Sequence, residues 1–166
     1  MRVTRSSSAG AAPQASLDAL RLRLRPVLAR VRVASASLAS TVCAEEPHAY
    51  VPLDVRRDAA GKEVPDQVPA TTGELQRCAA WLARGATLVQ EELDANPDAT
   101  VVVHCNRGAS RSPAVVLAWL MRYHEVKTVD LPFVVEILNE SCAVSSWGNA
   151  LMRPLDAWAT SLEHMS

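Results

Sequence analysis

The chain has 166 residues, 49% hydrophobic and 21% charged, with a mean hydropathy of +0.03. That balance excludes a disordered or fibrous chain, and a domain of this size buries enough apolar surface to stand without disulfides or a structural metal. The net charge of −1 conceals an asymmetry: residues 1–42 carry seven Arg against one acid, Asp18, while residues 43–166 carry ten Lys/Arg against seventeen Asp/Glu.

Residues 1–16 are small, polar and aperiodic, and read as a disordered tail preceding a single domain over 17–166. Their Arg/Ser/Ala content also suits an organellar transit segment, which is the alternative to a cytoplasmic location. From Leu17 the apolar residues Leu17, Leu20, Leu24, Val27, Leu28 and Val31 fit a helical stripe, whereas Leu20, Leu22 and Leu24 alternating with Arg fit a strand. Val31 to Val33 suits a short strand, Ala44 to His48 a loop, and Tyr50 to Val55 a strand whose Pro52 points to an edge. Arg56 to Gly73 holds two Pro and two Gly among charges and reads as a long loop.

Leu75, Cys78, Leu82, Ala86, Val89 and Leu93 recur at steps of three and four, predicting an amphipathic helix over 74–94 that Gly85 weakens in its middle. Thr100 to Val103 predicts a strand buried on both faces. The run Ala114 to Met121 is apolar nearly all round, so its helix belongs at the centre. Asp130 with Pro132 marks another helix start, and Leu151, Leu155, Trp158 and Leu162 a last helix with Pro154 near its beginning. Alternating strand, turn and helix predict an α/β domain with a central, mostly parallel sheet flanked by helices. The longest apolar stretches fall short of the roughly 18 residues of a membrane span. The acidic body suits neither a nucleic-acid backbone nor, with no CxxC pair and no zinc-ligand spacing, a metal; no cofactor is expected. Trp81, Trp119 and Trp158 read as core, and Cys78 and Cys142 as idle thiols or redox partners.

The chemistry concentrates between Val101 and Pro113. A buried strand delivers Cys105 into a tight loop, Asn106, Arg107, Gly108, Ala109 and Ser110, that runs straight into a helix. Loop and first-turn N–H groups have no partners inside the helix, so they form a cradle for an anion, and the helix dipole adds positive potential there. The same field stabilises the Cys105 thiolate and makes it a nucleophile. Arg111, six residues on, returns a planar guanidinium to the bound oxyanion, a recognition Lys cannot reproduce. Ser112 donates to the sulfur or caps the helix. His104 orients the loop through a backbone hydrogen bond rather than acting as a base. Arg107 projects from the loop, either solvated or selecting an acidic substrate.

HCNRGASRS, residues 104–112, resembles the HCxxGxSRS signature of dual-specificity protein phosphatases, within the broader HCx5R cysteine phosphatases. Residues 118–124, AWLMRYH, resemble the AYLMKYH run of the small atypical, single-domain members, and residues 75–82 the helix upstream of the catalytic strand. The resemblance covers about Val31 to the C-terminus. It implies a cysteine-phosphatase-like fold and hydrolysis of phosphotyrosine and phosphoserine/threonine in proteins through a phospho-cysteine, without metal. It also implies an Asp that protonates the leaving oxygen and then acts as base. The family places this acid roughly 30 residues before the Cys, and no Asp stands there. Asp54 is preferred because a strand end fixes geometry; Asp66 and Asp58 are the alternatives. The chain is also several residues longer than the family between the Cys78 helix and Cys105. Competing functions are a related phosphatase acting on a non-protein phosphate, a phosphoprotein-binding module with little turnover, and a rhodanese-like sulfurtransferase. Oxidation of Cys105 to the sulfenic acid would inactivate such an enzyme reversibly.

Overall fold

The structure, a computed structural model, describes residues 12–65, 69–107, 110–141, 155–156 and 158–160. In chain order the elements are α1 (Ala12–Leu28), β1 (Val31–Ser35), α2 (Ala36–Glu45), β2 (Tyr50–Asp54), α3 (Thr72–Ala95), β3 (Thr100–Cys105), α4 (Arg111–Tyr123), a 3-10 turn (Thr128–Asp130) and α5 (Leu131–Ser141). The ambiguous leucine segment is therefore a helix. It begins at Ala12, ahead of the boundary expected after residue 16, and holds Pro26 in its last turn. The sequence reading did not identify α2, whose start is fixed by Ser35: its hydroxyl accepts from the Leu38 N–H at 3.2 Å.

β3 is the middle of a three-stranded parallel sheet of order β1-β3-β2, with Val31 opposite Val101 on one side and Tyr50 opposite Thr100 on the other. Its β-branched run explains the position, since Val101, Val102 and Val103 are at most 1% exposed and only residues apolar on both faces fit there. Alternate side chains face opposite ways. Val101, Val103 and Cys105 join the main core with α3 and α4, while Val102 packs with Ala34 and Ala39 toward α2. Pro52 lies on β2, which pairs with β3 alone among the described residues, so its missing N–H costs no ladder bond.

α4 is buried continuously from Arg111 to Met121. α3 runs alongside it, started by Thr71, whose hydroxyl accepts from the Glu74 N–H while the Glu74 carboxylate accepts from the Ala70 N–H. Gly85 is where the two helices approach. A Cβ there would stand 2.9 Å from both Val115 methyls, and Val115, fully buried and β-branched, has little room to turn. A Gly85→Ala change gains about 1 kcal/mol of helix propensity but incurs about 1–3 kcal/mol of overpacking. The expected outcome is a lower urea midpoint; a raised midpoint would show that α4 yields at Val115.

The segment read as one long loop starts as a tight hairpin. Arg57 and Glu63 form an antiparallel bridge, Asp58 N–H donates to the Lys62 carbonyl at 2.9 Å, and Val64 N–H to the Arg56 carbonyl at 2.9 Å. One Asp58 carboxylate oxygen accepts from the Ala60 and Lys62 N–H groups, each at 3.0 Å, and Gly61 supplies the left-handed residue with φ 79°. Local side-chain capping, invisible to hydrophobic periodicity, makes this turn.

Candidate active site

Cys105 ends the central strand and is 3% exposed. Its Sγ lies 3.4 Å from the Ser112 hydroxyl, which is itself completely buried. Ser112 is in the first turn of α4 and does not cap it; the capping position is Ser110, whose side chain makes no cap bond. First-turn N–H groups thus lack a side-chain acceptor at Ser110, and such groups suit an anion placed at the helix start.

Arg111 opens α4 and is 4% exposed. Its Nη1 donates to the Val64 carbonyl at 3.1 Å and to the Glu63 carboxylate at 3.3 Å, while its Nε is buried with no hydrogen-bond partner among the described residues. A buried N–H of a guanidinium left unpaired is costly, so this edge is built to meet an acceptor. The strand end is fixed by two backbone bonds, Val55 N–H to the His104 carbonyl at 3.0 Å and Ala36 N–H to the Asn106 carbonyl at 3.2 Å. Asn106 also accepts, through Oδ1, from Arg56 Nη1 at 3.0 Å. Arg56 is near enough to Cys105 for their charges to interact, and Arg107 is exposed. Gly108 and Ala109 lie outside the described residues.

Among the described residues no acceptor meets the His104 Nδ1, which is buried, so no loop-orienting bond from that nitrogen is seen there. Burial pushes this imidazole toward its neutral form, against the pull of Asp54. Asp54 stands opposite His104 in the sheet register, and so beside His104 rather than beside Cys105. Arg56 grips it with Nε at 2.9 Å from one oxygen and Nη2 at 2.7 Å from the other, and the Arg56 N–H adds a bond at 3.0 Å. The side-chain bonds to Arg56 hold the Asp54 carboxyl below its usual range. That favours the charged form, whereas a proton donor must hold its proton. Asp58 is engaged in the hairpin turn, and Asp66 lies outside the described residues.

Residues 53–158 match the family model described as dual specificity phosphatase, catalytic domain. The chain belongs to that family. The fold of this dual-specificity phosphatase domain is similar to the crystal structure of human DUSP28, with a TM-score of 0.58 at 19% identity over 82% of this chain and 96% of the other. It is equally similar to a tyrosine-to-histidine variant of the same human protein, at 21% identity over 82% and 97%. No curated protein matches the chain significantly. It is a protein phosphatase of the cysteine-based family.

Other expectations for the phosphatase domain sort by physics. Trp81, Trp119 and Trp158 are core, at 3%, 1% and 3% exposure, with Trp81 Nε1 donating to the Val55 carbonyl beneath the hairpin. Cys78 is buried and burial pushes its thiol up, the reverse of a reactive cysteine; Cys142 lies outside the described residues. No group of three or more metal-ligating side chains occurs among the described residues, and no described helix is long and apolar enough to cross a membrane. A cavity of about 450 Å³ lies between α1, β1 and α5, but none of its lining residues belongs to the loop. Arg56, Glu63 and Val64 touch the loop or Arg111 and went unrecognised in the sequence, because they act through a hairpin whose signal, an Asp58 cap and Gly61, is local and short.

Proposed function

We propose that the chain hydrolyses phosphotyrosine and phosphoserine/threonine in phosphoproteins without metal, through a phosphorylated Cys105. The observation that carries this reading is the buried Cys105 with Ser112 Oγ 3.4 Å from its sulfur and the unpartnered Nε of Arg111, all at one end of β3. The thiolate attacks phosphorus in line, forming the S–P bond as the ester P–O bond breaks. Arg111 and the loop N–H groups hold the non-bridging oxygens, whose charge grows in the transition state. Water then attacks the phospho-cysteine, giving its proton to the carboxylate that had protonated the leaving oxygen, and the S–P bond breaks as the Ser112 hydroxyl stabilises the departing thiolate. Asn106, Arg107, Gly108, Ala109 and Ser110 line the substrate's phosphate.

For the proton of the leaving oxygen, the Asp54–Arg56 pair weakens the preferred candidate, and the Asp58 caps weaken another. Asp66, the remaining alternative, is then given the role. The test uses wild type, Asp54→Asn and Asp66→Asn on matched phosphotyrosine and phosphothreonine peptides across pH. Wild type is expected to turn over both. Asp66→Asn loses about 100-fold in kcat along with the alkaline limb, because that limb is the loss of the acid's proton as pH rises and an amide has no such proton to lose. Asp54→Asn stays within a few-fold. A large loss in Asp54→Asn alone returns the acid to Asp54; binding of either peptide without turnover by wild type favours the phosphoprotein-binding module instead.

A further inference from the structure

We propose that the hairpin from Arg56 to Val64 is a positioning element, with Glu63 and the Val64 carbonyl holding one end of the Arg111 guanidinium so that its opposite edge is presented to the substrate's phosphoryl oxygens. This rests on the phosphatase reading above. A guanidinium has five N–H donors in one plane, and its Nη1 carries two of them. Both have acceptors here, Val64 O at 3.1 Å and Glu63 Oε1 at 3.3 Å. Nε, on the other edge, is buried and has none among the described residues. A long side chain with several rotatable bonds is thereby reduced to one orientation before substrate arrives, which is what preorganisation for a charged transition state requires.

The other end of the hairpin does the same for the start of the loop. Arg56 spans from Asp54 to Asn106 Oδ1 at 3.0 Å, so the first and last residues of one rigid turn hold the first and last parts of the phosphate loop. The hairpin is rigid for local reasons, since Asp58 caps its turn and Trp81 Nε1 fastens Val55 just before it. Stability is a poor explanation for Glu63. Its side chain is 59% exposed, and an ion pair so wet contributes little to folding. What the pair does control is the direction of a group that is 5% exposed.

The test compares Glu63→Ala and Glu63→Gln with wild type, in native and Arg111→Lys backgrounds. Glu63→Ala is expected to lower kcat toward an aryl phosphate by about 10-fold to 100-fold with KM changed less than about threefold, and Glu63→Gln, which keeps an acceptor oxygen, to recover part of the loss. Affinity for tungstate, a tetrahedral oxyanion read by calorimetry, falls in the same order, while the urea midpoint stays at the wild-type value. With Lys at 111, removing Glu63 has no further effect, because the fork it aims is gone. Unchanged tungstate affinity and kcat in Glu63→Ala overturn the proposal. So does an equal loss in the Arg111→Lys background, or a loss matched by a lower urea midpoint. The tungstate titration reads the hairpin's role even where wild type shows no turnover, so the two readings fail separately.

Discussion

Replacing Cys105 by Ser is expected to abolish aryl phosphate hydrolysis, by about 10⁴-fold or more, with tungstate still bound at close to wild-type affinity. The substitution changes one atom and keeps the shape of a buried site, so the loop and Arg111 keep their places. What changes is acidity. A thiol has a pKa near 8.5 in water, within reach of the field of α4's first turn, Arg111 and the nearby Arg56. A serine hydroxyl is too weak an acid for the same field to ionise, and no described base adjoins it: His104 bears its Nδ1 unpartnered and Asp54 is held by Arg56. Hydrolysis by the Ser variant at a rate near wild type, measured with p-nitrophenyl phosphate, would remove Cys105 from the mechanism. Loss of tungstate binding together with activity would mean instead that the substitution had collapsed the loop.

Arg111→Lys is expected to lower kcat/KM by about 10²-fold to 10³-fold, mostly in kcat. The positive charge remains, and one donor can still reach the Val64 carbonyl, so folding is little affected. Lost is the planar fork, one end of which is anchored at Val64 and Glu63 while Nε is left for the substrate. A point charge on a flexible stem cannot do both. Because the interaction strengthens as charge accumulates on the transferring phosphoryl group, its loss falls on the transition state more than on bound substrate. Steady-state kinetics with an aryl phosphate check this, and a defect confined to KM would show that Arg111 only captures the ground state.

The sequence by itself was enough for the centre of this protein. The β-branched run Thr100 to Val103 placed a doubly buried strand, the apolar run Ala114 to Met121 placed a central buried helix, and the nine residues from His104 to Ser112 carried the resemblance to the family. These features are legible because burial and loop chemistry there depend on neighbours in the chain. Segments with two compatible periods were not: Leu20 to Leu24 fits a strand as well as a helix until α5 is present, where Arg21 is ion-paired with Glu140. Gly85 reads as a weak spot in a helix until Val115 is seen against it.

Tertiary structure alone decided what stands around the phosphate loop. Asp54 and Arg56 are two residues apart, yet only the sheet register shows that Asp54 stands beside His104 and that Arg56 ties it to Asn106. Glu63 and Val64 are nearly fifty residues from Arg111, and no periodicity links them. The reason is physical. Hydrophobic pattern records which face of an element is buried, whereas the direction of a guanidinium is set by a few acceptors brought together across the fold.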